Sequence, residues 1–240
     1  MKPLRLILDV LRRVEGMIVL LRSRLSPYPI VLAAVMLGLF SLIAFGLVSV
    51  LHHGTEGRIV GNHRASVLHK LQEILPPDRY DNDILSDVMD IDEPSLDARH
   101  PVTVYRTRKQ GQPVAAVLLP TAPDGYSGDI RLMVAIYSNG ELAGVRVISH
   151  KETPGLGDPV DERKSDWIRA FSGLSFEKLE AALWRVKKDG GAFDQFTGAT
   201  VTPRAVVKQI KNTLDYFSAN KDKLFQLPAE PIEDTVIDSP

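Results

Sequence analysis

Apolar residues are spread unevenly along the 240-residue chain. Residues 30–51 form a run of 22 without a charge, whose only polar side chains are Ser41 and Ser49. At about 1.5 Å per residue, a helix over this run crosses the roughly 30 Å hydrocarbon core of a bilayer. The pattern predicts a single transmembrane helix over 29–51. A buried helix of a soluble protein and the core of a cleaved signal peptide are the competing readings, although such cores are usually only about 7–15 residues long. Upstream, Leu4, Ile7, Leu8, Leu11, Val14, Ile18 and Leu21 recur at helical spacing among Arg12, Arg13, Arg22 and Arg24. That is the pattern of a helix lying on the membrane surface, or of a leader whose contribution is its charge.

Beyond the run, Ile59, Val67, Leu68, Leu71, Ile74 and Leu75 predict a helix over 55–75, stopped by Pro76 and Pro77. Residues 78–100 are acidic and predicted to be irregular, completing a connector over 52–100. Strands are predicted over 102–108 and 113–119, joined by a turn at 109–112. A second turn at 125–128 precedes a strand over 130–137, in which Ile130, Leu132, Val134 and Ile136 share a face. Asn139-Gly140 then marks a two-residue hairpin into a strand over 141–149. A loop over 150–161 follows. Trp167, Ile168 and Phe171 suggest a short helix, 177–183 another helical piece, and 184–188 a short strand. From Pro203 to about Leu224 an amphipathic stripe of Val206, Ile210, Leu214 and Phe217 predicts a long helix. The last 15 residues (226–240) read as a disordered, solvated tail. The fold class expected is α+β: one N-terminal transmembrane helix, then an antiparallel-sheet domain over 101–225 with flanking helices.

Charge orients this arrangement. Residues 1–28 carry six basic side chains against Asp9 and Glu15, whereas residues 52–240 carry 23 basic and 28 acidic ones. The positive-inside bias puts a basic leader in the cytoplasm and the large C-terminal part across the membrane, which in a bacterium is the periplasm. A net charge of -1 excludes a broadly basic nucleic-acid binder, and no nucleic-acid partner is expected. The absence of cysteine excludes disulfides, thiolate nucleophiles, Cys-ligated zinc and iron–sulfur clusters in this chain. Any redox chemistry must use another centre. A mean hydropathy of -0.04 conceals the division between membrane run and domain.

Candidate chemistry concentrates in residues 194–203, Asp-Gln-Phe-Thr-Gly-Ala-Thr-Val-Thr-Pro. Gly198 and Ala199 allow close backbone approach. Thr202 and Pro203 fit the N-cap and first position of the long helix. Free amide N–H groups and the positive end of the helix dipole would then lie beside Thr197, Thr200 and Thr202, a site that can bind a phosphate or simply begin a helix. His150 and Glu152 form a two-member pair of the kind more often solvated than metal-ligating, and no metal site is expected. Lys187, Lys188 and Lys208 are either near such a phosphate or merely solvated.

The segment Asp194-x-x-Thr197-Gly198-Ala199-Thr200 resembles the D-x-x-[S/T]-G-A-T flavinylation motif. The wider order is a basic leader, one apolar helix, Gly125-Tyr126-Ser127-Gly128, His150-Lys-Glu152-Thr153-Pro154-Gly155-Leu156-Gly157, Trp167-x-x-x-Phe171 and Asp189-Gly190-Gly191. Over residues 29–225 it is similar to the G-subunit family of Rnf/Rsx ion-translocating electron-transport complexes, and more distantly to the C subunit of the sodium-translocating NADH:quinone reductase. The resemblance implies an FMN-binding domain with one FMN per chain, joined by a phosphoester to Thr200, with Asp194, Thr197, Gly198 and Ala199 completing the recognised segment. It implies an external flavin transferase that uses FAD and a metal ion. Glu152, Thr153, Gly155 and Leu156 would border the isoalloxazine ring, with Tyr126 available for stacking. The implied partners are the other membrane subunits of an Rnf/Rsx-type complex in the bacterial inner membrane, which couples NADH and ferredoxin electron flow to ion movement. The chain would then be a redox subunit of a translocase rather than a complete enzyme. A membrane-anchored, non-redox periplasmic sensor or assembly scaffold is the alternative.

Overall fold

A computed structural model describes residues 29–226, with the side chains at 29, 32 and 50–66 excepted. The expected leader (1–28) and all but the first residue of the expected tail (226–240) lie outside the described residues. The chain divides into two compact units, Met1–His63 and Arg64–Pro240.

The predicted helices over 29–51 and 55–75 are one continuous helix, α1 (Pro29–Ile74). Gly54, Gly57 and Gly61 cost a helix about 1 kcal/mol each relative to Ala, too little to break it. The uncharged run lies wholly within α1, and its described side chains are mostly exposed, Ile30, Phe40, Leu42 and Phe45 each by more than two-thirds. Among the described residues no helix is long and apolar enough to cross a membrane, the side chains at 32 and 50–66 being outside that description.

The second unit is built on an antiparallel sheet. Its strands are β1 (Val88–Ile91), β2 (Val102–Lys109), β3 (Gln112–Leu118), β4 (Thr121–Ala122), β5 (Ile130–Tyr137) and β6 (Leu142–Ser149). They pair in the order β1-β2-β3-β5, with β4 continuing the β3 side of β5 beyond Pro120 and β6 on the other side of β5. Gln110 and Gly111, both at positive φ, close the β2–β3 hairpin, as a tight primed turn requires. The Asn139-Gly140 hairpin differs from the two-residue form expected. The Gly140 amide donates to the Tyr137 carbonyl and Gly140 takes φ +88°, so Ser138, Asn139 and Gly140 form a three-residue loop.

Alternation along the strands divides the interior in two. Val104, Leu118, Leu132, Val134, Ile136 and Val145 face one core, packed against α2 (Val201–Gln226) and the rings of Phe171, Trp184 and Phe193. Tyr105, Ala115, Val117, Met133 and Ala135 face the other, covered by Val67, Leu71 and Ile74 at the end of α1. Burial on both faces explains why β5 reads as an almost unbroken apolar run.

Three local expectations change. The acidic stretch 78–100 supplies edge strand β1, in which Val88, Met89 and Ile91 are buried and Asp90 is exposed. Residues 177–183 yield only a 3-10 turn at Ala181–Leu183, and 184–188 only a single bridge from Val186 to Phe193. Trp167–Phe171 is a 3-10 helix.

Helix α2 is tied down at its C-terminal end by β2. Arg106 Nη1 donates to the Leu224 carbonyl at 2.9 Å, and Arg108 Nη2 to the Phe225 carbonyl at 2.9 Å. Both arginines pair with Asp87, so carbonyls that a helix end leaves without partners are satisfied and the buried charge is balanced. Phe217 lies fully inside the core on α2. Phe217→Ala is expected to lower unfolding free energy by about 3–5 kcal/mol, read as a shift in the urea midpoint of tryptophan fluorescence.

Candidate functional site

Glu152 sits where three segments meet. It is 5% exposed. Its Oε1 accepts the Ser127 amide at 2.9 Å, and its Oε2 accepts the Thr202 hydroxyl at 2.5 Å. One carboxyl group thus joins the 125–128 turn, its own loop and the first turn of α2. Burying it without hydrogen bonds would cost several kcal/mol, so the geometry is strongly enforced. Two of the surrounding glycines, Gly125 and Gly157, have no room for a side chain. A Cβ on Gly125 would meet the Gly128 carbonyl, with Glu152 Oε1 at 3.0 Å. A Cβ on Gly157 would meet Glu152 Oε2, with Thr202 Oγ1 at 2.8 Å. Lys208 on α2 adds an ion pair to Asp124 at 2.6 Å.

The 152–157 loop closes on itself through amides of Leu156 and Gly157 donating to the Thr153 carbonyl, and through the Gly155 amide donating to Asp158 Oδ1. Thr153, Gly155 and Leu156 remain exposed, in contrast to Glu152. Tyr126 is 72% exposed at the neighbouring turn. His150 Nδ1 accepts the Glu152 amide at 3.1 Å, and its Nε2 lies 3.9 Å from Asp161. The hydrogen-bonded Arg163 guanidinium, working against partial burial, lowers the Asp161 carboxyl from 3.8 to about 2.

Residues 193–196 are held by an aromatic cluster. Phe193 stacks on Phe171 at 4.3 Å between ring centres, and Phe196 meets Trp167 edge-to-face at 5.2 Å. Trp167 Nε1 donates to the Asp194 carbonyl, and the Asp194 side chain pairs with Lys187. The chain then turns, with the Ala199 amide donating to the Phe196 carbonyl and Gly198 at φ +78°. A Cβ on Gly198 would lie 3.7 Å from Leu156 Cδ2, which places the TGAT turn beside the 152–157 loop.

Helix α2 begins at Val201, two residues before the expected start at Pro203. The Arg204 amide donates to the Thr200 carbonyl, so Thr200 occupies the capping position expected for Thr202. Thr202 is fully buried, its hydroxyl committed to Glu152. Among the described residues the hydroxyls of Thr197 and Thr200 have no hydrogen-bond partner. The structure therefore brings Thr197–Thr200, Leu156 and the Glu152 junction together. Lys187 and Lys208 are committed to carboxylates, and Lys188 meets Gln195 through its main chain. The roles of Ser127 and of the Thr202 hydroxyl were not visible in the sequence, because both depend on contacts with Glu152 that are distant along the chain.

Residues 125–215 match the FMN-binding domain family. The ion-translocating oxidoreductase complex G subunit of Pseudomonas aeruginosa (strain UCBPP-PA14) is 48% identical over 194 residues, covering 80% of this chain and 90% of that one. The G subunit of Pseudoalteromonas atlantica is 46% identical over 195 residues, covering 81% and 91%. That of Shewanella loihica is 44% identical over 208 residues, covering 83% and 95%. The chain belongs to this family, the G subunits of ion-translocating oxidoreductase complexes.

Gly157→Ala is expected to push the Glu152 carboxyl off Thr202 and cost about 1–3 kcal/mol. Gly155→Ala, with open space but φ +79°, is expected to cost about 1–2 kcal/mol from backbone conformation alone. Amide hydrogen exchange separates them: only Gly157→Ala should deprotect the first turn of α2.

Proposed function

We propose that this chain is the flavin-bearing electron-transfer subunit of a membrane ion-translocating oxidoreductase complex of the Rnf type, carrying one FMN as a phosphoester on Thr200. The observation that carries this reading is the state of the three threonines at the head of α2. Thr202 is buried and engaged, whereas Thr200 is half-buried, unpartnered and placed at the helix cap. The residues fit FMN. A free hydroxyl meets the phosphate, first-turn amides and the helix dipole favour its charge, and exposed Leu156 and Tyr126 offer apolar surface to a flat ring.

Loading by a flavin transferase balances as a phosphoryl-group exchange. The bond from Thr200 Oγ to phosphorus forms, the phosphoanhydride of FAD breaks, AMP leaves, and the hydroxyl proton goes to the transferase site. When bound, FMN supplies one- and two-electron chemistry. The chain's own work is mechanical and electrostatic. Glu152 keeps the three segments in register, the aromatic cluster fixes the approach to the TGAT turn, and the phosphate is held at a rigid helix end. Neighbouring subunits of the complex would exchange electrons with this centre, in a pathway between NADH and ferredoxin.

The same reading places residues 30–51 across the inner membrane, the N-terminus in the cytoplasm and the domain in the periplasm. Large apolar side chains exposed all round this part of α1 would be costly in water and are at home in lipid. Since the chain has no cysteine, single cysteines report its topology. Ser172→Cys should react with an impermeant maleimide on intact spheroplasts, and Ser23→Cys only after permeabilisation; the reverse pattern would contradict the orientation.

Co-expressed with a flavin transferase, the wild-type chain should fluoresce in a denaturing gel, and Thr200→Ala should lose that signal while Thr197→Ala keeps a covalent flavin. A wild type without fluorescence would return the chain to the anchored sensor or scaffold reading.

A further inference from the structure

Arg204 lies in the first turn of α2, its amide donating to the carbonyl of the capping Thr200 at 3.3 Å. Long helical side chains lean back toward the N-terminus, and the Arg204 guanidinium reaches Asp189 in the 3-10 turn Lys187–Asp189. Nε and Nη2 each lie 2.5 Å from one of the two Asp189 oxygens. This parallel pair of donors is the arrangement a guanidinium offers equally to a carboxylate or a phosphate. Both partners are partly exposed, at 44% and 34%. Solvent screens an ion pair this exposed, so another anion can take the place of the carboxylate on the fork. The fork, carried by a residue whose amide caps onto Thr200, therefore holds a two-oxygen anion from the chain itself.

Resting on the assignment of Thr200 as the ester site, we propose that Arg204 is the counter-ion of the FMN phosphodiester, and that Asp189 occupies its guanidinium until the ester forms. No bond is made or broken in this exchange: one anion replaces another on the same fork. The displaced carboxylate is not left alone. Besides Arg204, the charges of Lys188 and Arg185 also hold its carboxyl below the ordinary value. The arrangement makes Arg204 a phosphate-binding residue one helical turn outside the TGAT segment. It also gives the 187–189 turn a purpose beyond connecting two parts of the domain.

The test uses the full chain with 15N-labelled arginine in a phosphorus-free detergent, before and after loading by flavin transferase and FAD. In the unloaded chain, Asp189→Asn should shift the Arg204 Nε–H resonance. Loading the wild type should shift that resonance as well, and loaded Asp189→Asn should then coincide with loaded wild type. The phosphodiester 31P resonance should move in Arg204→Gln and stay in place in Asp189→Asn. A bound 31P signal with an unchanged Arg204 resonance on loading would overturn the proposal and leave the ester standing. Absence of any bound phosphorus in the wild type would instead overturn the assignment of Thr200. If Arg204→Gln does not load, the wild-type and Asp189→Asn resonances decide.

Discussion

The site depends on one buried carboxyl group, that of Glu152. It is the point where a turn between strands, a glycine-rich loop and the head of a long helix are hydrogen-bonded to one another. The 125–128 turn and the 152–157 loop bury little apolar surface of their own, whereas the head of α2 is also held by Ala205, Val206 and Val207. A hydrogen bond made by a buried carboxyl is costly to leave unmade, so the junction behaves as an all-or-none contact. Gly157 follows from that contact, since a Cβ there would meet the carboxyl and the Thr202 hydroxyl, whereas Gly125 is kept bare first by the Gly128 carbonyl of its own turn.

Rigidity at this junction is inherited from the rest of the domain. Helix α2 is fixed at both ends, by Glu152 at its first turn and by Arg106 and Arg108 on its last carbonyls. Between those ends its buried face fills the core on one side of the sheet, while the end of α1 closes the other. A group attached at Thr200 would sit on the fixed end of an element anchored to the whole sheet. A carrier that exchanges electrons without dissociating benefits from such an attachment, because the distance from its ring to any partner is then set by the protein.

Much of this was legible in the sequence. The strands of the meander followed from period-two alternation and turn residues, and β5 was bounded correctly because both its ends meet turn residues. In the TGAT and 152–157 segments, Gly157 stands where the fold has no space for a side chain, whereas Gly155 and Gly198 take positive φ. Other features were hidden for physical reasons. Strand β1 is four residues long and flanked by acids, so its pairing with β2 outweighs a weak local signal. The helix cap was misplaced because Thr-Val-Thr-Pro offers two capping threonines, and only the distant Glu152 decides that Thr202 turns inward. The resemblance groups Glu152 with Thr153, Gly155 and Leu156; the burial of Glu152 beside three exposed neighbours follows from its contacts with Ser127 and Thr202. Contacts separated by 50 residues, as Glu152 and Thr202 are, leave no periodic trace.

Trypsin releases residues 189–204 as one peptide containing Thr197, Thr200 and Thr202, and fragmentation mass spectrometry of that peptide from protein made in its native host tests the central claim most directly. The expected result is the added mass of one FMN less one water, located on residue 200. An unmodified peptide, or the same mass on residue 197 or 202, would contradict it.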